Sequence, residues 1–141
     1  MPKVVIDANV VVSALFGGIP RKAFLKALRT CDIYISPEIK LELSGLPDEL
    51  EGKLDRSRAR RLRSIILNLF SSAKEVAAGR KIELSRDKKD NAYLTLCLRT
   101  KADFLLTGDK DLLEIPKEKL RASGLNKLRI ISPALFLSEK I

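Results

Sequence analysis

Short apolar segments rich in β-branched residues alternate along this chain with longer segments whose apolar residues recur at helical spacing. The strand-like segments are 3–6, 32–35, 75–79, 102–108 and 128–132, and the main helical ones are 20–29, 37–45, 57–74 and 87–100. This alternation predicts parallel strands joined by helices that cover both faces of a sheet. We therefore expect a three-layer α/β/α fold with a central, mainly parallel sheet of about four to five strands, formed by residues 1–141 as a single domain.

Local signals predict where the first elements begin and end. Apart from Lys3, residues 3–6 and 10–12 are apolar and β-branched, which predicts a buried strand that ends near Asp7. Ser36 and Pro37 predict the start of a helix, as N-cap and first helical residue, and Gly45 predicts its end.

The chain contains no histidine and only two cysteines, which are far apart in sequence. This composition excludes nucleophile pairs that depend on histidine, and it excludes His-ligated or structural zinc sites. An enzyme of this composition is expected to rely on carboxylates and a hard cation. The apolar stretches are too short to span a membrane and the N-terminus lacks a signal-peptide pattern, so we expect a cytoplasmic protein.

Acidic residues fall at positions that a parallel α/β fold brings together. Asp7 and Asp109 each follow a buried strand, and ligands of such sheets bind at the carboxyl ends of the strands. Glu42 and Asp90 lie beside the apolar faces of their helices. Each acid alone is also explained as a helix cap or a solvent-exposed residue, except Asp7, whose apolar flanks leave it little water.

Taken together, several carboxylates at one sheet edge would repel one another, and a divalent cation removes that repulsion. Carboxylate oxygens and retained waters are the ligands that Mg²⁺ and Mn²⁺ prefer. The acids therefore indicate a site for one of these cations.

Four segments, in this order, resemble the PIN-domain family: IDANVVVSAL, SPEIKLEL, RDKKDNAYLTL and LLTGDKDLL. They are most similar to the stand-alone, VapC-like toxins of toxin–antitoxin modules, and the resemblance covers nearly the whole chain. It implies a Mg²⁺- or Mn²⁺-dependent endoribonuclease that hydrolyses RNA phosphodiesters with metal-activated water. It also implies a homodimer and a small antitoxin partner that covers or plugs the site.

Carried onto this sequence, the resemblance implies that the catalytic and metal-binding acids are Asp7, Glu42, Asp90 and Asp109. Asp111 would be an auxiliary metal-binding acid that acts through water. Asn9 would orient the first acid by a hydrogen bond, and Ser13 and Thr107 would be polar neighbours of the site. Asp87 is an alternative to Asp90, with poorer spacing to the apolar face of its helix.

The net charge is +9, from 27 basic and 18 acidic residues. Such an excess is typical of proteins that bind nucleic acid, and also of a basic solvated surface. The densest basic run is RSRARRLR, and its arginines are predicted to form the outer face of a helix, either solvated or bound to RNA or a partner. Candidate RNA contacts are Arg56, Arg60, Arg63, Lys88, Lys89 and Lys110.

Two other functions share parts of this pattern. A receiver-like phosphoacceptor also carries an acidic Mg²⁺ site on an α/β fold, but it needs two adjacent acids after the first strand, where VVIDANV offers one. A non-catalytic RNA-binding or RNA-processing assembly module could use the same fold. The complete set of acids favours the nuclease over this module, although the fold alone does not separate them.

Overall fold

A five-stranded sheet, in which all neighbouring strands run parallel, forms the centre of the computed structural model, which describes residues 1–141. The strands are β1 (Lys3–Ile6), β2 (Asp32–Ile35), β3 (Ala73–Glu75), β4 (Phe104–Leu106) and β5 (Arg129–Ile131). The helices are α1 (Ala8–Ala14), α2 (Gly18–Thr30), α3 (Pro37–Glu49), α4 (Arg56–Ser72), α5 (Lys88–Thr100), α6 (Lys110–Leu113), α7 (Lys117–Ala122) and α8 (Pro133–Ser138). Helices flank the sheet, which confirms the predicted α/β architecture.

The strand order, β3-β2-β1-β4-β5, places β1 and β4 side by side in the middle of the sheet. The chain moves to one side of β1 through β2 and β3, and to the other side through β4 and β5. The carboxyl ends of β1 and β4 therefore form the topological switch point, where open α/β sheets bind their ligands. Ile6 pairs with Leu106, so Asp7 and Thr107 leave the two strands as neighbours.

One cluster of 33 buried hydrophobic residues forms the core. The three residues of β4 are all buried, as are Val4, Val5 and Ile6 of β1, which suits central strands covered on both faces. Cys31 and Cys97 are both free and buried in this core. None of the helices has the length and apolar character needed to cross a membrane.

The valines at 10–12 belong to helix α1 and not to an extended segment. Asp7 is the N-cap of this helix, and its side chain accepts a hydrogen bond from the Asn9 N–H. Val10, Val11 and Ala14 are buried at helical spacing. Packing and capping therefore outweigh the β-propensity of the three consecutive valines.

Two other predicted boundaries are wrong. Helix α3 does not stop at Gly45 but continues to Glu49 with Pro47 inside it, because Gly45 does not adopt the positive φ of a C-terminal glycine cap. The minor strand predicted at 75–79 lies at Ala73–Glu75, where its residues pair with those of β2.

Candidate metal centre

Three aspartates converge at the carboxyl ends of the two central strands. Asp7 follows β1, Asp109 lies three residues beyond the end of β4, and Asp90 is the third residue of α5. One carboxylate oxygen from each lies within 4.8 Å of the other two. Asp7 and Asp90 are only 6% and 5% exposed, so two of the three carboxylates are largely removed from water. We call these residues the aspartate cluster.

Asp7 is held by hydrogen bonds to both of its carboxylate oxygens. The Thr107 hydroxyl donates to Oδ2 at 2.6 Å, and the Asn9 N–H donates to Oδ1 at 3.3 Å. Burial nevertheless raises the pKa of Asp7 above its ordinary value; the two hydrogen bonds oppose this shift, and the charges of Glu42 and Asp109 add to it. The carboxylate is fixed in place but lacks a neutralising positive charge.

The effect of burial and of neighbouring negative charge is larger at Asp90. Burial, then the charge of Asp109 and a hydrogen bond with that carboxyl group, raise the pKa of Asp90 to about 7. The Ser85 hydroxyl, which donates to Oδ2 at 3.2 Å, opposes the shift. The raised pKa means that the aspartate cluster favours a bound proton or cation over three free negative charges. Three clustered carboxylates that favour added positive charge fit a hard divalent cation.

The loop after β4 is tied to the start of α1. While donating to Asp7, the Thr107 hydroxyl also accepts from the Asp109 N–H at 3.0 Å. The Asn9 side-chain oxygen accepts from the Gly108 N–H at 3.3 Å. Asn9 therefore contacts Asp7 through its backbone N–H, whereas its side chain holds the loop. Ser13 is exposed one turn further along α1, where it lines a surface cavity of about 380 Å³ together with Asn9 and Gly108.

Glu42 and Asp111 lie outside the aspartate cluster. Glu42 accepts a hydrogen bond from the Tyr93 hydroxyl at 2.5 Å through Oε1, and its Oε2 is 3.8 Å from Lys89 Nζ. It is still close enough that its charge contributes to the raised pKa of Asp7. Asp111 is exposed in the first turn of α6, where its backbone N–H donates to Asp109 at 2.9 Å.

Asp87 has a different position from Asp90. It is exposed, and as the N-cap of α5 it accepts a hydrogen bond from the Lys89 N–H at 2.9 Å. Asp90, one turn into the helix, faces the cluster. Asp90, and not Asp87, is therefore the member of α5 that belongs to the aspartate cluster.

Two residues of the site were missed from the sequence. Tyr93 is not among the site residues predicted above, although its position three residues after Asp90 puts it on the same side of α5. Ser85 lies in an irregular segment that no periodicity could place. The Asn91 side chain holds this segment by accepting from the N–H groups of Leu84 and Ser85 at 3.0 and 2.8 Å.

The basic residues fall into two groups. Lys88, Lys89 and Lys110 are exposed in the first turns of α5 and α6, beside Asp90 and Asp109. A second, exposed group lies on α4, the helix that packs against α1 and α3: Arg56, Arg60 and Arg63.

Comparison with known proteins agrees with this architecture. The family model for the PIN domain matches residues 3–111, a range that contains all the acids described above. No curated protein matches the chain significantly. Among solved structures, the fold is similar to the crystal structure of VapBC2 from Rickettsia felis bound to a DNA fragment from their promoter. The TM-score is 0.55 at 13% identity, over 92% of this chain and 98% of that chain. With a family match over most of its length and this fold, the chain belongs to the PIN-domain family.

Proposed function

We propose that this PIN-domain protein is a Mg²⁺- or Mn²⁺-dependent endoribonuclease and the toxin component of a toxin–antitoxin module. The observation that carries the proposal is the aspartate cluster at the switch point of the sheet. Three carboxylates with nearby oxygens, two of them buried, are costly in a folded protein unless a cation or a proton compensates them. Family membership and the similarity to a VapBC structure support the same assignment.

In this proposal Asp7, Asp90 and Asp109 would hold the cation, while Glu42 and Asp111 would act at its edge. When bound, the cation makes water more acidic and neutralises charge on a phosphate. Thr107 keeps the Asp7 carboxylate in place and fixes the backbone of Asp109 with the same hydroxyl. The chain contains no histidine, and carboxyls would serve as general acid–base groups at this site.

An RNA substrate fits the charge of the protein. Five acids are assigned to the site: Asp7, Glu42, Asp90, Asp109 and Asp111. When they are set aside, 13 acidic residues remain against 27 basic ones, a net charge of +14. Lys88, Lys89 and Lys110 would contact phosphates beside the scissile one, and the α4 arginines would contact a more distant part of the strand. Aromatic residues are only 5% of the chain, so phosphate contacts rather than base stacking would dominate binding.

We also propose a homodimer, an antitoxin partner and a cytoplasmic location. Exposed large apolar side chains support a protein partner: Leu41 on α3 is 76% exposed, Leu67 on α4 is 62% exposed and Phe16 after α1 is 59% exposed. The similar VapBC2 structure is itself a complex.

Incubation of single-stranded and structured RNA with the purified protein, in Mn²⁺ and in EDTA, tests the enzymatic assignment. The nuclease proposal expects internal cleavage in Mn²⁺ and none in EDTA. Binding without cleavage in Mn²⁺ would instead support the non-catalytic RNA-binding or assembly module.

A further inference from the structure

We propose that Tyr93 is a positioning residue that acts on the metal centre through Glu42. The inference rests on the proposed function, because it assigns a role within the same site. It starts from a chain of two hydrogen bonds that joins three elements: the Ala8 N–H donates to the Tyr93 hydroxyl at 2.9 Å, and this hydroxyl donates to Glu42 at 2.5 Å.

The position of the Tyr93 hydroxyl connects Glu42 to the aspartate cluster. Ala8 follows Asp7 directly, so the backbone group that the hydroxyl binds belongs to the turn that carries the first aspartate. Tyr93 itself is on α5, three residues after Asp90, and is 1% exposed. A rigid aromatic side chain thus ties Glu42 of α3 to the two elements that carry Asp7 and Asp90.

Glu42 depends on such a contact because its own anchoring is weak. Its side chain is flexible and extends from α3 without a bond to the aspartates. The Lys89 ammonium group, 3.8 Å from Oε2, is the competing partner and its side chain is 64% exposed. Without the phenol, the carboxylate would be free to turn towards Lys89 and the solvent, and its charge would move away from the cluster.

Tyr93 has two separable contributions. The ring packs in the core, and phenylalanine would supply the same ring. The hydroxyl makes the hydrogen bonds to Ala8 and Glu42, and phenylalanine would remove both. The Tyr93→Phe variant therefore tests the positioning role while keeping the packing.

The test measures Mn²⁺ binding by calorimetry, without RNA, for the wild type, Asp7→Asn, Tyr93→Phe, Glu42→Ala and the Tyr93→Phe/Glu42→Ala double variant. Glu42→Asp is included because the shorter side chain withdraws the carboxylate from the Tyr93 hydroxyl while Tyr93 itself is unchanged. Tyr34→Phe is the matched control, since Tyr34 is the other tyrosine of the chain and its ring contacts Lys3 and Lys74. Melting in EDTA establishes that each variant is folded.

We expect Tyr93→Phe and Glu42→Asp each to weaken Mn²⁺ binding by roughly tenfold, the loss typical of one hydrogen bond to a charged group. Tyr34→Phe should bind as the wild type does. In the Glu42→Ala background, Tyr93→Phe should have little further effect, because the residue through which it acts is gone. A structural role alone would instead give the same loss with and without Glu42.

The outcomes separate the two proposals. If the wild type binds Mn²⁺ and Asp7→Asn does not, the metal centre stands. In that case, wild-type affinity in Tyr93→Phe, or a loss that is unchanged by Glu42→Ala, overturns the role of Tyr93 alone. If Tyr93→Phe is unfolded, wild-type affinity in Glu42→Asp overturns that role. If the wild type binds no Mn²⁺, both the proposed function and the positioning role are wrong.

Discussion

The Thr107 hydroxyl donates a hydrogen bond of 2.6 Å to Asp7 across 100 residues of sequence. Thr107 is fully buried, and the bond joins the ends of the two central strands. It is the contact that most strongly opposes the effect of burial on Asp7. The strand order brings the two residues together, and the bond then fixes the orientation of the Asp7 carboxylate.

Replacing Thr107 by valine keeps the shape of the side chain and removes this donor. We expect the free energy of unfolding in EDTA at neutral pH to fall by about 1–3 kcal/mol, because a buried carboxylate loses a hydrogen bond. Urea unfolding measures the change. Thr100→Val is the control, since this buried hydroxyl donates only to the Leu96 carbonyl within α5. Equal losses in the two variants would show that Asp7 does not depend on Thr107.

Asp90 predicts how stability without metal depends on pH. Its pKa is raised from 3.8 to about 7, first by burial and next by the charge of Asp109. The native state therefore binds more protons than the unfolded chain between these pH values, and stability falls as the pH rises through this window. Asp7, whose pKa is also raised, acts in the same direction. The wild type in EDTA should melt at a lower temperature at about pH 8 than at about pH 5.

Asp90→Asn removes the charge and keeps the shape of the side chain. We expect it to melt higher than the wild type in EDTA at about pH 8, by on the order of 3 °C, and to depend less on pH. Asp87→Asn is the matched control, because Asp87 is an exposed N-cap of the same helix and asparagine also caps. If the melting temperature of Asp90→Asn in EDTA varied with pH as that of the wild type does, Asp90 would be an ordinary structural residue.

Added Mn²⁺ should stabilise the wild type against heat, since binding to the native state alone adds about 2.7 kcal/mol at a hundredfold excess over Kd. Asp109→Asn should lose most of this shift. Asp111→Asn should retain it, because Asp111 is exposed and outside the cluster. If Asp111→Asn lost as much of the stabilisation by Mn²⁺ as Asp109→Asn, the principal ligand would lie on α6 instead.

The arginines of α4 are tested by the salt dependence of RNA binding. Neutralising Arg56, Arg60 and Arg63 together should reduce the slope of log K against log salt by about 2, at roughly 0.7 per phosphate contact for a single strand. The control neutralises Lys117, Lys119 and Arg121, the three basic residues of α7. An unchanged slope in the α4 variant, or an equal change in both, would assign the α4 arginines to solvent or to a protein partner.

The sequence was sufficient to predict the parallel α/β class because its strand and helix segments differ clearly in length and in the spacing of their apolar residues. It was also sufficient to place Asp7 directly after a strand and Asp109 near the end of another, although β4 ends at Leu106 and not at residue 108. The strand order could not be predicted, because the residues of an apolar strand do not indicate which strand lies beside it. The adjacency of Asp7 and Thr107 therefore became visible only in three dimensions.

Local boundaries failed where tertiary contacts outweighed local preference. Three consecutive valines favour a strand, yet Val10 and Val11 pack in the core as part of a helix capped by Asp7. Gly45 is a common stop signal, but the chain continues as a helix to Glu49. The bond between Tyr93 and Glu42 could not be predicted from spacing, because it depends on how α3 and α5 pack against each other.

The most direct measurement of the central claim is the rate at which Asp7→Asn cleaves RNA in Mn²⁺. Asp32→Asn is the matched control, since Asp32 opens β2 at the amino end of the strand and lies 3.7 Å from Lys74. Both variants should remain folded in EDTA. We expect Asp32→Asn to cleave at the wild-type rate and Asp7→Asn to be slower by a factor of about 10² or more. A folded Asp7→Asn protein that cleaves RNA as fast as the wild type would contradict the assignment of the aspartate cluster as the catalytic metal centre.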